Sequence, residues 1–183
     1  RGNTWTRIPG TAQNGGASPD VQIELWYSAN CAAGANTVTV AWTGGTPATL
    51  ALDIAEYSGV TTASPTDVIV TAFPSGLSPT TSSFSSRYNE VIVAFAAPVG
   101  NVTVAGSGYN LRGINPIGCG FEDKITSFGS STASFTVDAG PTLISVVSFK
   151  SPSEFLAVGL EKVRTLSDSV SVTDTTSKIV SYA

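Results

Sequence analysis

The sequence predicts an all-β fold, an antiparallel sandwich of two sheets followed by an extended C-terminal tail. Only 12% of its 183 residues are charged, while Ser and Thr together supply about a quarter of the chain, a composition that favours strands and turns. Apolar and polar residues alternate with a period of two in several short segments, and Gly, Pro and Ser clusters separate these segments. No helical period occurs before residue 150. Jelly-roll and immunoglobulin-like topologies both fit this pattern.

The first predicted strand is DVQIELWY, residues 20–27. Val21, Ile23, Leu25 and Tyr27 fall on one face and Trp26 lies on the other, as expected of a half-buried strand. The same alternation predicts strands in TVTVAW (37–42), TLALDIAEY (49–57), ASFTVD (133–138) and LISVVSFK (143–150). EVIVAFAA (90–97) is apolar on both faces, which predicts a central strand that is covered on two sides.

The chain changes character after Lys150, so we expect a sandwich domain over 1–150 and a tail over 151–183. Residues 151–166 fit a short helix with Phe155, Leu156 and Leu160 on one side, or a strand that presents Leu156, Val158 and Leu160. A glycine within this segment weakens the helix, so the strand is favoured. Farther on, Val170 and Val172 alternate with hydroxyl residues, in a segment with too little apolar surface to fold alone.

Composition excludes several classes of function. The net charge is -4 with only 9 Lys and Arg residues, too few and too dispersed for a nucleic-acid surface. No apolar stretch is long enough to predict a helix that spans a membrane. The chain has no His, which removes the commonest general base and most zinc sites. Because nucleotide and hydrolase motifs are also missing, we expect no enzyme activity, no catalytic residues, no cofactor and no metal site.

Glu56 is the acidic residue of most interest in the sequence, since it continues the face of the strand that carries Leu52 and Ile54. If this acid points inward, it needs a partner, and the candidates are three basic residues: Arg87, Arg112 and Lys124. The main expectation is a satisfied structural acid. The alternatives are a catalytic carboxylate and a member of an autocatalytic isopeptide cross-link with a Lys and an Asn.

Four further residues are candidates for specific roles. Cys31 and Cys119 lie in turn-like contexts, and in an oxidising compartment we expect them to form a disulfide, the alternative being two free thiols. Trp26 is predicted to be exposed and available for binding, whereas Trp42 continues a core face. Asn101 begins an Asn-Val-Thr glycosylation sequon, for which a chance match is the alternative.

Two parts of the chain resemble known surface proteins. GNTWTR (2–7), IELWYSANCAAGANTVTVAW (23–42) and LDIAEYSGV (52–60) resemble a β-sandwich module of secreted and surface proteins of bacteria and archaea. Residues 163–183, which contain LSDSVSVTDT (166–175), are similar to one unit of the tandem repeats in large archaeal surface proteins. The first resemblance implies an extracellular structural or adhesive module without catalytic residues. Such modules usually carry one or two apolar strands before GNTWT, whereas this sequence starts at Arg1 without them. We therefore expect a processed or excised piece of a larger protein, with an unpaired strand edge.

These observations favour an extracellular structural subunit of a surface filament or stalk, assembled head to tail by β-strand complementation with copies of itself. The residues expected to mediate assembly are the apolar positions of the tail: Phe155, Leu156, Val158, Leu160, Leu166, Val170 and Val172. The alternative is an adhesin module that binds glycans or surfaces through loops or Trp26, with the tail as a stalk. An enzyme of unknown type comes third. Within one longer polypeptide, the donor strand would instead be intramolecular.

Overall fold

The computed structural model describes residues 2–11, 13–14, 21–34, 37–42, 49–152, 170–174 and 178–182. All regular elements in these ranges are strands, so the predicted all-β fold is confirmed. The N-terminal strands are β1 (Thr6–Arg7), β2 (Gln13–Asn14), β3 (Gln22–Ile23), β4 (Trp26–Tyr27) and β5 (Val38–Trp42). The central strands are β6 (Thr66–Ala72), β7 (Phe84–Ser86), β8 (Glu90–Pro98), β9 (Val102–Ala105), β10 (Asn110–Ile114), β11 (Gly120–Thr126), β12 (Gly129–Ser131), β13 (Phe135–Val137) and β14 (Thr142–Lys150). The tail contributes β15 (Val170–Asp174) and β16 (Lys178–Tyr182).

The largest sheet has five strands in the order β10-β11-β8-β14-β6, and all its neighbours are antiparallel. β8 carries the EVIVAFAA pattern and lies at the centre, between β11 and β14. Residues of both faces of β8 are buried, Ile92 on one and Val91 on the other. The prediction of a central strand covered on two sides is therefore confirmed.

A second layer faces this sheet. It contains the antiparallel pairs β7–β12 and β9–β13. Backbone hydrogen bonds extend the first pair along the chain: Thr81 N donates to Ala133 O, and Phe135 N donates to Pro79 O. The two pairs thus form one antiparallel layer in which the run from β12 to β13 lies between β7 and β9.

The connectivity of the strands is that of a jelly roll. From β6 to β14, early strands pair with late strands. β6 pairs with β14, β7 pairs with β12, and β8 pairs with β11. This nested pairing of early with late strands produces the two-sheet jelly roll rather than the immunoglobulin-like sandwich, which the sequence left open. β10 departs from a symmetric roll because it forms a hairpin with β11 at the edge of the five-stranded sheet.

The apolar core lies between the two layers. Its buried members come from both sheets and are Phe84, Ile92, Ala94, Ala96, Val102, Tyr109, Ala133, Phe135, Val137, Ile144 and Val146. Burial of this continuous apolar surface provides the main driving force for folding. Glu90 and Glu122 also lie in the interior, on the same face of the five-stranded sheet. Glu122 stands opposite Ala94 in the β11–β8 pair, and Glu90 lies on the same face of β8 as Ala94.

The N-terminal strands pack on the outer face of the five-stranded sheet. Ile23 contacts a small buried cluster that includes Ala97 and Leu143, and the Tyr27 ring meets Phe149 edge to face at 6.2 Å between centroids. The predicted alternation of DVQIELWY is confirmed, since Ile23 is buried while Trp26 is exposed. The segment forms two short strands rather than one.

The strand predicted over residues 49–57 is wrong. No named strand covers these residues, and only Glu56 forms a β-bridge. Side-chain hydrogen bonds attach this segment to the sheet instead: Tyr57 Oη donates to Asp123 Oδ2 at 2.8 Å, and Asn115 Nδ2 donates to Asp53 Oδ2 at 3.0 Å.

Candidate functional site

The tail joins the N-terminal part of the chain through a strand pair. β15 pairs in parallel with β5 over five residue pairs, with Val170 opposite Val38 and Val172 opposite Val40. On its other side, β15 pairs with β16 in an antiparallel hairpin. The result is a three-stranded sheet in the order β16-β15-β5. β15 contains Val170 and Val172, two of the residues expected to mediate assembly.

The other apolar positions of the predicted assembly segment, which are Phe155, Leu156, Val158, Leu160 and Leu166, lie outside the described residues. The choice between helix and strand for 151–166 stays a prediction for the same reason. The β5–β15 contact is a backbone ladder with a defined register. In such a contact, main-chain hydrogen bonds provide affinity and alternating side chains fix the register. The face on which Trp42 lies also stays a prediction.

Trp26 belongs to an exposed polar cluster centred on Glu24. The indole Nε1 donates to Glu24 Oε2 at 3.1 Å, and Gln22 Nε2 donates to Glu24 Oε1 at 3.0 Å. Arg7 stands opposite Trp26 in the β1–β4 pair, and its guanidinium lies 3.4 Å from Glu24 Oε1. Trp26 is 49% exposed, as predicted. The indole is held beside a carboxylate, an amide and a guanidinium, which we call the Glu24 cluster.

Glu56 is exposed in the structure, so the expectation that it points inward is wrong. Its position in the alternating pattern does not set its orientation, because the segment has no backbone ladder along its length. The buried acids are other residues, Glu90, Glu122 and Asp123. Sequence reasoning missed them, although Glu90 shares the parity of the core residues in β8.

Asp123 is the best-paired of the buried acids. It is 2% exposed and accepts from Arg112 Nε and from Tyr57 Oη, both at 2.8 Å. Burial, and then the Asp123 charge, raise the pKa of Tyr57. Arg112 was a predicted partner of an inward acid, and it pairs with Asp123 rather than with Glu56. This triad fixes residues around Tyr57 to the outer face of the sheet.

Glu122 faces the opposite way, into the core. It is fully buried, and Gly106 N donates to its Oε2 at 2.7 Å. Burial raises the pKa of Glu122 to about 7, although backbone donors from Gly106 and Ser134 act against the shift. Lys124, another predicted partner, places its Nζ 5.0 Å from the centre of the Tyr109 ring. Glu122 therefore anchors the turn after β9 rather than forming an ion pair.

Glu90 is buried with a second carboxyl group, that of Asp67. The Glu90 side chain has no exposed surface, and it interacts with the Ser86 and Ser148 hydroxyls, which act to lower its pKa. Burial is the main reason that the pKa of Glu90 rises to about 7, and the Asp67 carboxyl raises it further. No group of three or more acidic, Cys or His side chains suited to a metal ion is found within the described ranges.

The predicted disulfide is not formed in the structure, where both thiols are free. Cys31 is exposed, and its Sγ donates to Ser28 O at 3.3 Å. Cys119 is buried in the cluster with Ile23 and Leu143. Burial, followed by the nearby Asp53 charge, raises the pKa of the Cys119 thiol to about 11. Cys31 is thus exposed while Cys119 is a core residue, although both lie in turn-like sequence contexts.

Asn101 is exposed, as a glycosylation site requires. Its side-chain Nδ2 donates to Asp138 Oδ2 at 2.8 Å, and its backbone N donates to Asp138 Oδ1. The nitrogen that would carry a glycan is therefore engaged in a hydrogen bond. Glycosylation of Asn101 remains a prediction.

Comparison with known proteins finds no protein-family model, no curated protein and no solved structure that matches this chain. Across the described ranges, no helix has the length and apolarity needed to cross a bilayer.

Proposed function

We propose that this chain is an extracellular structural module that joins copies of itself head to tail by β-strand complementation, within a surface filament or stalk. The observation that supports this proposal is the parallel pairing of β15 with β5. In this assignment, β5 is the acceptor edge and the β15–β16 hairpin is the donor.

The ladder in the structure joins two parts of one chain, and the same ladder can form between two chains. Because every copy has the same sequence, a neighbour's β15 would find the same register on β5. Residues 151–169 connect β14 to β15, and 19 residues span at most about 65 Å when extended. A head-to-tail contact whose rotation does not close on itself produces an open filament.

Replacing Val172 with proline is expected to abolish assembly. Val172 pairs with Val40 on one side and with Val180 on the other, and proline inside a sheet removes a ladder hydrogen bond. Electron microscopy of the purified protein, combined with its mass under denaturing conditions, measures the effect. We expect wild-type filaments built from subunits of this chain's mass, and single particles for the variant.

Val172→Thr is the matched control, because threonine keeps both the strand propensity and the backbone donor. It should form filaments like the wild type. Filaments of unchanged length with Val172→Pro would show that β15 is not the connector. Wild-type protein that remains as single particles would leave the β15 pairing intramolecular and favour the second candidate function.

The second candidate is a glycan-binding adhesin module, and the Glu24 cluster favours it. An exposed indole offers a flat apolar surface, and the adjoining carboxylate, amide and guanidinium offer hydrogen-bonding groups. These are the components from which a saccharide surface can be built. The Glu24 cluster lies on the N-terminal strands β1, β3 and β4. Binding there would not depend on the tail.

If the module binds glycans, Trp26→Ala should lower affinity about 30-fold, the effect of losing roughly 2 kcal/mol at an aromatic hot spot. A glycan array followed by titration of any saccharide that binds provides the measurement. Trp5→Ala is the control, since Trp5 is also partly exposed at 38% but lies outside the Glu24 cluster. Binding that survives Trp26→Ala would place the saccharide elsewhere, and an array without saccharide-dependent signal would exclude this function.

A further inference from the structure

One end of the space between the two sheets is polar. Four side chains from four strands meet there: Asp67 from β6, Ser86 from β7, Glu90 from β8 and Ser148 from β14. We call this group the inter-sheet acid site. Ser86 comes from the second layer and the other three from the five-stranded sheet, so the group joins both layers of the sandwich.

Most oxygens of this site are buried and make no hydrogen bond of ordinary geometry in the structure. Glu90 and Ser148 are fully buried, and Ser86 is 1% exposed. Both carboxylate oxygens of Glu90, together with Asp67 Oδ2 and Ser86 Oγ, make no hydrogen bond. Ser148 Oγ accepts from Val68 N at 3.0 Å. The Ser86 and Ser148 hydroxyls are donors beside Glu90, but they carry no charge. Two carboxyl groups removed from water are costly when ionised, so a compensating cation is expected.

The described side chains do not supply a positive charge to this site. Lys150 stands directly opposite Glu90 in the register of β14 and β8. Its ammonium nevertheless lies over the Tyr88 ring, 5.5 Å from the centroid. The ion pairs found among the described residues involve Glu24 and Asp123. Two neighbouring carboxyl groups thus remain without a cationic side chain.

We propose that the inter-sheet acid site binds one calcium ion through Glu90, Asp67 and the Ser86 and Ser148 hydroxyls. Calcium accepts six to eight oxygen ligands in irregular geometry, including bidentate carboxylates, whereas magnesium requires a near-ideal octahedron with several waters. Two carboxylates balance the charge of one divalent ion. A hydroxyl contributed by β7 beside carboxylates from β6 and β8 makes the ion a link between the two sheets.

The test is thermal unfolding of EDTA-treated full-length protein at pH 8 with added calcium, together with luminescence titration of terbium as a calcium substitute. Calcium at a hundredfold excess over its Kd should raise Tm by about 5 to 10 °C. The same excess of magnesium should raise it less. At pH 5, where protons compete for the carboxylates, the calcium shift should shrink.

Glu90→Gln removes the proposed bidentate ligand and should abolish both the Tm shift and the terbium signal. Glu122→Gln is the matched control, because it changes the other core glutamate, which lies outside the site, and it should keep both responses. Asp67→Asn provides a second test if Glu90→Gln fails to fold, and it should weaken terbium binding at least tenfold. No calcium shift and no saturable terbium signal in the wild type would overturn the proposal. Unchanged calcium shifts in folded Glu90→Gln or Asp67→Asn protein would overturn it as well.

Discussion

Replacing Phe135 with alanine should lower the free energy of unfolding by about 3 to 5 kcal/mol, the range observed when a large aromatic side chain is removed from a protein core. Phe135 lies in β13, is 2% exposed and belongs to the cluster that joins the two layers. The loss combines the transfer free energy of the ring with the cavity that the surrounding strands cannot fully close. Urea denaturation followed by tryptophan fluorescence measures it.

Phe128→Ala is the control for this prediction. The Phe128 side chain is 80% exposed, so its removal should change the free energy of unfolding by less than about 0.5 kcal/mol. The two variants differ in burial and not in the chemistry of the substitution. Equal effects at the two positions would contradict the placement of the core between β13 and the five-stranded sheet.

The central strands could be predicted because their pattern leaves few alternatives. EVIVAFAA is apolar on successive residues, and such a run is stable only where both faces are covered. DVQIELWY alternates strictly, and the structure buries the face that carries Ile23. In both cases the apolar pattern alone determines which side chains leave water.

Residues 49–57 show the limit of the same reasoning. Their alternation predicts which side chains share a face, but not whether a neighbouring strand is available to form a ladder. Tyr57 and Asp53 are held by side chains of distant residues, and no local pattern indicates those partners. For this reason the prediction that Glu56 points inward was wrong.

The buried acids were missed because their surroundings come from strands that are far apart in sequence. Glu90 is enclosed only when β6, β7 and β14 come together around the start of β8, and the inter-sheet acid site therefore depends on pairings between residues far apart in sequence. The free thiols have a similar explanation. Cys119 packs with Ile23 from the N-terminal layer, and that contact could not be deduced from the turn-like sequence around either cysteine.

Stability should fall as pH rises from about 4.5 through about 7, because of these buried glutamates. Burial raises the pKa of Glu90 and of Glu122 to about 7 from an ordinary value of 4.5. Between these values the folded state binds more protons than the unfolded state, so stability decreases with pH. A full shift corresponds to a loss on the order of 3 kcal/mol for each group. Asp138 acts in the opposite sense, but its lowered pKa confines that effect to pH values below 3.8.

Urea denaturation between pH 4.5 and 8.5, with EDTA present to remove divalent ions, measures this slope. Glu90→Gln and Glu122→Gln should each flatten it, since glutamine resembles the protonated acid and binds no proton. At pH 8 each variant should therefore be more stable than the wild type, while at pH 5 the difference should be small. Glu56→Gln, at an exposed position, is the control. A wild-type stability that stays constant or rises across this range would mean that neither carboxyl group is enclosed as the structure places it. If the pH dependence of stability disappears only in Glu122→Gln, the carboxyl group at the turn after β9 would account for all of it.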